Sequence, residues 1–170
     1  MKPLRKIELK PYSESDLPIL RRNNAPEMTE FLGGPESEEK VLDRHQRYLK
    51  LKTGEAYMFV IWLDDEAVGS AGYWEKDWKG ALVWEAGWGV FPEYQGRGIA
   101  LAATLALVEK ARLERKHRFM HAYPKIENLA SNALCRKAGF ELIEECDFEY
   151  PVGHPIRCND WQIDLLAELR

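Results

Sequence analysis

Two glycines separated by one residue, Gly96 and Gly98, lie between a strand-like run and a long apolar run. A helix that begins directly after Gly98 would present backbone N–H groups that have no acceptor within the helix, and its dipole would add partial positive charge there. Glycines keep side chains out of the way, so a phosphate can come close to the backbone. The segment therefore predicts a cradle for a phosphate or pyrophosphate group.

Two familiar nucleotide-binding motifs do not fit this segment. The dinucleotide fingerprint GxGxxG needs a third glycine where this chain has Leu101, and the Walker motif GxxxxGK[ST] is absent. The preceding residues also belong to a predicted antiparallel meander, whereas a dinucleotide fold would place the first strand of a doubly wound sheet there. A ligand other than a dinucleotide or a P-loop nucleotide is therefore favoured.

Two blocks of the sequence resemble one known family. The segment QGRGIA, residues 95–100, resembles the Q/R-x-x-G-x-G/A acyl-CoA signature of the GNAT superfamily of N-acetyltransferases, and residues 85–100 resemble its ribosomal-protein N-terminal acetyltransferase branch. Residues 127–140, ENLASNALCRKAGF, resemble the family's N-x-x-(A/S)-x-x-L-x-x-x-x-G-F helix. The resemblance implies one α/β domain over residues 1–170. Its mostly antiparallel seven-stranded sheet would splay between strands four and five and carry about four helices.

The resemblance also implies an activity and a set of cofactor contacts. Acetyl-CoA would donate its acetyl group directly to the primary amine of a small molecule or of a peptide N terminus. Backbone amides of the glycine segment would hold the pyrophosphate, Arg97 would add a side-chain charge, and the pantetheine arm would pair with strand four. The implied cofactor-binding residues are Trp88, Val90, Gln95, Gly96, Arg97, Gly98, Ile99, Ala100, Asn128 and Ser131.

Cys135 stands where many family members carry a tyrosine that protonates the leaving thiolate. A thiol has an ordinary pKa of about 8.5, so Cys135 is a candidate for that catalytic role. A buried packing residue is the interpretation we favour, because free cysteine is often one. The absent tyrosine also keeps open a second function, a non-catalytic acyl-CoA-binding module that senses the cofactor or supports an assembly.

The reaction needs a general base, because an amine at neutral pH is mostly protonated and must lose a proton before it attacks. Glu85 is the first candidate, since it lies on the predicted fourth strand and faces the same way as Gly87 and Gly89. A solvated carboxylate or a structural ion pair is the alternative for Glu85. His121 is the second candidate for the base, and a water relay without a single base is the third.

The surrounding elements would position these residues. Residues 56–63, 68–75 and 81–91 are β-favouring runs and predict an antiparallel meander. Residues 99–116 predict a helix with Leu101, Leu105 and Val108 on one face, and the strand–helix–strand unit over residues 81–123 predicts a right-handed parallel crossover. The whole order, βααβββαβαββ, is typical of a mixed α/β domain.

The sequence contains weaker signals for the acceptor than for the cofactor. In the run after Gly139, Phe140, Leu142, Cys146, Phe148 and Tyr150 alternate with Glu141, Glu145, Asp147 and Glu149. This alternation predicts a strand with one buried face and one acidic face, which would either attract a cationic amine or simply meet water. One or two of the aromatic residues around strands three and four would line an acceptor pocket, and the others would be core; the candidates are Tyr73, Trp74, Trp78, Trp84 and Trp88.

Composition excludes several classes of function. The chain has 170 residues, 45% of them hydrophobic, and a formal net charge of −4, which fits one globular domain. It has no basic block and no apolar run of about 18 residues, so we expect neither a nucleic-acid nor a membrane partner. Four scattered histidines predict no metal site. Three cysteines without CxxC spacing predict reduced thiols in the cytoplasm, and a homodimer stays open.

Overall fold

The computed structural model describes residues 6–167, which form one sheet and the helices that cover it. The strands are β1 (Ile7–Pro11), β2 (Ala56–Leu63), β3 (Glu66–Trp78), β4 (Ala81–Val90), β5 (Phe119–Ala122), β6 (Glu141–Glu149) and β7 (Pro155–Asp164). The α-helices are α1 (Leu17–Asn23), α2 (Glu38–Leu49), α3 (Ile99–Glu114) and α4 (Leu129–Lys137). The predicted order of elements is confirmed.

The seven strands lie in the order β1-β2-β3-β4-β5-β7-β6. Neighbouring strands are antiparallel, with the exception of β4 and β5, which are parallel and connected through α3. Residues are paired between β4 and β5 at two positions, Trp84 with Met120 and Glu85 with His121. The rest of β4 therefore runs on without a β5 partner, and the predicted divergence between strands four and five is confirmed.

The first of these two pairs belongs to the core and the second does not. Trp84 and Met120 are completely buried in the cluster that contains Ala103 and Leu107 of α3. Because successive strand residues point to opposite faces, Glu85 and His121 face away from α3. The face of β4 that carries the predicted base Glu85 is therefore the one opposite α3, and the end of α1 lies on this face, where Asn23 bonds to Ser70.

The segment between α1 and α2 is held in place by backbone hydrogen bonds to one side chain. Asn24 Nδ2 donates to the Glu36 carbonyl at 2.9 Å, and Asn24 Oδ1 accepts from the Glu36 N–H at 2.7 Å. Ser37 then caps α2 by accepting from the Lys40 N–H at 3.3 Å. These bonds fix the loop that covers the sheet opposite α3.

Two sequence predictions about faces were wrong in part. In α3, Val108 is buried and Leu101 packs against the core as predicted, but Leu105 is 47% exposed. The rest of the buried face is formed by Ala103, Leu107 and Ala111. In β6, Leu142 lies opposite Trp161 but Glu144 lies opposite Asp160, which marks a β-bulge. The additional residue puts Leu142 out of phase with Cys146, so Leu142 is exposed and the simple buried-and-acidic alternation fails.

Within residues 6–167, no helix is long and apolar enough to cross a membrane.

Candidate active site

The predicted phosphate cradle has the backbone that the sequence requires. Gly96 and Gly98 have φ values of 75° and 80°, in the left-handed region, and Gly98 caps α3. A Cβ atom at either glycine would meet nothing within 4 Å, so the space in front of the backbone is open. The first hydrogen bond of α3 runs from the Ala102 N–H to the Gly98 carbonyl, which leaves the Ile99 and Ala100 amides available to an anion.

The side chains of this segment have different neighbours. Gln95 Nε2 donates to the Val90 carbonyl at 2.8 Å, so this side chain braces the turn against the end of β4. The Arg97 guanidinium is exposed and lies 5.7 Å from the centroid of the Tyr94 ring. A cation at this place can meet a phosphate that sits in front of the glycines.

The gap between β4 and β5 exposes backbone groups of β4. The Phe91 N–H donates to the Val68 carbonyl of β3 at 2.9 Å. Backbone groups of successive strand residues point to opposite strand edges, so those of Val90, and of Trp88 two residues earlier, point toward β5. The diverging β5 leaves room there for an extended chain to pair with β4, as predicted for the pantetheine arm.

A cleft of about 730 Å³ lies beside this gap. It is bordered by residues from both faces of the sheet, with Glu85, Gly87 and Gly89 on one side and Trp88 on the other. The N-terminal end of α4 borders it as well, through Asn128 and Ser131, and Asn128 Oδ1 caps α4 by accepting from the Ser131 N–H at 3.1 Å. The cleft therefore brings the predicted base and several predicted cofactor residues together.

Glu85 is a partly exposed residue whose carboxylate accepts a hydrogen bond from Trp74 Nε1 at 2.6 Å. Burial of the carboxyl raises the pKa of Glu85, against the smaller opposing effects of the Lys76 charge and the Trp74 hydrogen bond. The Trp74 indole also covers Gly87, because a Cβ there would lie 2.8 Å from the ring. A carboxylate with a raised pKa beside a cleft is suited to accept a proton.

His121 is buried on β5 beside Glu85, its register partner, and both of its ring nitrogens have protein neighbours. Nδ1 lies 2.6 Å from Asp160 Oδ1, and Nε2 lies 3.3 Å from Gln162 Nε2. Among the described residues His121 is not part of the cleft lining. This placement suits a buried structural histidine better than a base that meets the substrate.

Cys135 is completely buried in the main core cluster, and burial raises the pKa of its thiol to about 12. The cleft lining, within the described part of the chain, does not contain it. All three cysteines are free. The aromatic residues divide in a similar way, since Tyr73 and Trp84 are core while Trp74 and Trp88 line the cleft.

Sequence reasoning missed Asn132, which ties the cleft wall together. Its Nδ2 donates to the Asn128 carbonyl at 2.8 Å and to the Lys125 carbonyl at 3.1 Å. Its Oδ1 accepts from Trp161 Nε1 at 2.8 Å and from Asn159 Nδ2 at 2.9 Å. A polar residue inside a short helix was the available signal, but the partners on β7 cannot be read from the sequence.

Solved structures with the same fold bind coenzyme A. The ribosomal L7/L12 alpha-N-protein acetyltransferase RimL, solved with coenzyme A, superposes with a TM-score of 0.77 at 23% identity, over 93% of each chain. Spermidine N-acetyltransferase from Vibrio cholerae, solved with CoA and spermine, gives 0.76 at 16% identity, over 94% of this chain and 95% of that one. The aminoglycoside acetyltransferase AAC(6')-Ib, solved with coenzyme A, gives 0.76 at 19% identity with the same coverage.

A search of curated proteins found no match to this sequence. Residues 6–141 match the acetyltransferase (GNAT) domain family, and this segment contains the glycine turn, the diverging strands, Glu85 and the start of α4. The chain therefore belongs to the GNAT family of acetyltransferases.

Proposed function

We propose that this protein transfers the acetyl group of acetyl-CoA to a cationic primary amine by direct attack of the neutral amine on the thioester. The observation that carries this proposal is the Glu85 carboxylate, with its raised pKa, in a cleft at the point where β4 and β5 diverge. Acetyl-CoA would bind in the gap between the two strands, and the acceptor amine would bind in the cleft beside it.

The donor half follows from the backbone. The amides around Gly96 and Gly98, with Arg97 beside them, hold the pyrophosphate at the start of α3. The pantetheine arm extends β4 through the backbone groups of Trp88 that face the gap, and its thioester end reaches the Val90 N–H; the Val90 carbonyl is bonded to Gln95. Asn128 and Ser131 border the arm from the N-terminal end of α4.

The chemical step uses this chain's groups at two places. The amine nitrogen attacks the carbonyl carbon, and the Val90 N–H stabilises the oxygen as it becomes negative. The Trp74 indole covers Gly87, so the amine lies over Gly89. Four residues along a strand span about 13.6 Å, so the proton of the amine reaches Glu85 through a chain of water molecules in the cleft. The carbon–sulfur bond breaks with its electron pair on sulfur. The thiolate that leaves takes a proton from water in the cleft, so no protein acid is required. We assign Cys135, which is buried outside the cleft lining, to packing.

The charge of the cleft favours a cationic acceptor. Among the described residues, five carboxylates line it against three cations. Glu36 is paired with Arg44 at 2.7 Å, and the other four carboxylates, of Glu27, Glu30, Glu85 and Glu149, outnumber the cations of Arg47 and Lys125. A surplus of carboxylates beside the amine site raises the local concentration of cations. Acetyltransferases of proteins, aminoglycosides and spermidine occur among the similar structures, and all three acceptor classes present an amine.

We also infer that the protein works in the cytoplasm. Three buried free cysteines suit a reducing compartment.

Release of the free CoA thiol from acetyl-CoA, measured across a panel of polyamines, aminoglycosides and peptides, tests this function. We expect amine-dependent release for at least one cationic class. The Gly98→Glu variant should lose both turnover and CoA binding, because it places a carboxylate where the pyrophosphate belongs.

Tight CoA binding without turnover on any amine would contradict the enzyme and favour the cofactor-sensing module. CoA binding that survives in Gly98→Glu would contradict the cofactor placement.

A further inference from the structure

The side chain of Asn23, at the end of α1, has an amide oxygen that is buried and has no hydrogen-bond partner. The other end of the same amide is bound, since Asn23 Nδ2 donates to Ser70 Oγ at 2.8 Å. The two remaining unpartnered buried atoms of the described chain are Trp84 Nε1, in the core, and the Tyr123 hydroxyl. Tyr123 lines the same cleft, and what distinguishes Asn23 is that its free oxygen lies beside Gly89.

The Asn23 oxygen lies over the floor of the cleft. Ser70 is the register partner of Gly89, so the amide is anchored directly across from the end of β4. A Cβ at Gly89 would lie 3.8 Å from Asn23 Oδ1 and 3.4 Å from Met28 Cε. Glycine at this position keeps the floor free beneath the amide, and the flexible Met28 side chain is the group beside it.

This place is next to the proposed reacting carbonyl. Gly89 immediately precedes Val90, whose N–H faces the gap and is proposed to bind the thioester oxygen. A group that hydrogen-bonds to Asn23 Oδ1 would therefore be held against the acyl carbon from the face that α1 covers. Asn23, Ser70 and Gly89 all line the cleft.

An unpartnered buried acceptor has an energetic cost, which is about 1–3 kcal/mol for a buried polar group. We therefore expect the Asn23 oxygen to accept a hydrogen bond from a ligand that occupies the cleft during the reaction. The ligand that reaches Gly89 in the acetyl transfer reaction is the acceptor amine, which carries N–H donors.

We propose that Asn23 Oδ1 accepts a hydrogen bond from the attacking nitrogen and so makes the enzyme select primary amines. This inference rests on the proposed function. A neutral primary amine has two N–H groups and one lone pair. The lone pair forms the carbon–nitrogen bond, one N–H stays with Asn23, and the other proton leaves through water to Glu85 as sulfur takes the electron pair of the breaking bond.

A secondary amine lacks the second N–H. Its single N–H can donate a hydrogen bond to Asn23 Oδ1 before the attack. Once that proton has left for Glu85, the nitrogen has no N–H with which to keep the hydrogen bond. The wild-type enzyme should therefore prefer a primary amine over its N-methyl counterpart, and this preference should depend on Asn23.

The test compares kcat/KM for one amine and its N-methyl form in the wild type, Asn23→Leu and Asn23→Asp. In Asn23→Leu, which has a similar side-chain size, kcat/KM for the primary amine should fall about 10- to 100-fold. The value for the N-methyl amine should change much less, and KM for acetyl-CoA should be unchanged. Asn23→Asp keeps an acceptor oxygen and should recover activity toward the primary amine.

Thermal unfolding separates this role from a structural one. Asn23→Leu removes the unpartnered oxygen but also the hydrogen bond from Nδ2 to Ser70 Oγ, so the two effects oppose each other and the unfolding midpoint should change little. The neighbouring Asn24, with both ends of its amide bonded to Glu36, is the matched control. Asn24→Leu should lower the midpoint and keep the wild-type preference for the primary amine.

Equal losses for the primary and the N-methyl amine in Asn23→Leu would overturn the proposal, and so would turnover within twofold of the wild type. If the wild type itself turns over no amine, the proposed function and this inference both fall.

Discussion

Glu85 and Cys135 were both catalytic candidates from the sequence, but they occupy different environments. The alternation of β4 puts Glu85 on the same face as Gly87 and Gly89, and the structure brings all three to the cleft. Cys135 lies near the end of α4 on the side that packs into the core. The alternation of a strand can be predicted from the sequence, whereas the buried side of a nine-residue helix depends on how the helix packs against its neighbours.

The packing role of Cys135 gives a direct prediction. Cys135→Ala should lower the free energy of unfolding by about 1–2 kcal/mol, because it removes a sulfur atom from a full core. Turnover should stay within about threefold of the wild type, since packing defects of this size rarely abolish function. Denaturant unfolding and the thiol-release assay measure the two effects, and a large loss of kcat in a fully folded variant would restore a catalytic role.

We predict that the two glycines of the cradle have two roles: they leave space for the pyrophosphate, and they adopt the left-handed backbone conformation of the turn. Gly98→Ala should weaken CoA binding about tenfold, the net value of one hydrogen bond, because the methyl group enters the space of the pyrophosphate. It should also cost about 1–2 kcal/mol of stability, since the left-handed region is unfavourable for alanine. Calorimetric titration with CoA measures the affinity.

Gly80 provides a matched control for that variant. It has a φ of 83° in the turn between β3 and β4, and open space around its Cβ position. Gly80→Ala should show the same loss of stability with unchanged CoA affinity. If both variants bind CoA equally, the glycine turn does not hold the pyrophosphate.

At the scale of elements, the order of strands and helices could be predicted, but several faces could not. An Ala/Leu-rich helix is apolar on most sides, so nothing in its sequence selected Ala103 and Ala111 over Leu105. The bulge in β6 inserts one residue and reverses the alternation, and its position depends on pairing with β7. Both features are set by neighbouring elements.

Asn132 shows how one residue couples elements around the cleft. Asn132→Leu removes bonds to the loop before α4 and to β7, and we expect a loss of about 3 kcal/mol of stability together with weaker CoA binding. Asn159→Ala removes one of these bonds and should cost about 1 kcal/mol. Denaturant unfolding and CoA titration measure both variants, and wild-type CoA affinity in Asn132→Leu would mean that the loop does not depend on this residue.

At the scale of the whole molecule, the divergence of β4 from β5 creates the site. The sequence predicts a parallel crossover there, but it contains no local signal for where the two strands part; the family resemblance supplied that expectation. Pairing ends after Glu85 and His121, and this end point decides which backbone groups of β4 face the gap. Such a feature arises from the twist and connection of the complete sheet.

The acidic cleft gives a prediction about salt. KM for a cationic acceptor should rise with ionic strength, because salt screens the attraction to exposed carboxylates. The double variant Glu27→Gln/Glu30→Gln should show a smaller rise, and steady-state kinetics at several salt concentrations measure it. A KM that does not depend on salt in the wild type would remove the argument for a cationic acceptor.

The dependence of kcat on pH in the wild type and in Glu85→Gln tests the central claim most directly. Glutamine keeps an oxygen for Trp74 and removes a carboxylate that burial disfavours, so the variant should remain folded at neutral pH. A base must be deprotonated, so wild-type kcat should rise through the pKa of Glu85, which lies above its ordinary value of about 4.3. Glu85→Gln should lose that rise and at least about 100-fold in kcat, with unchanged CoA affinity. Wild-type kcat and pH dependence in the variant would contradict the account.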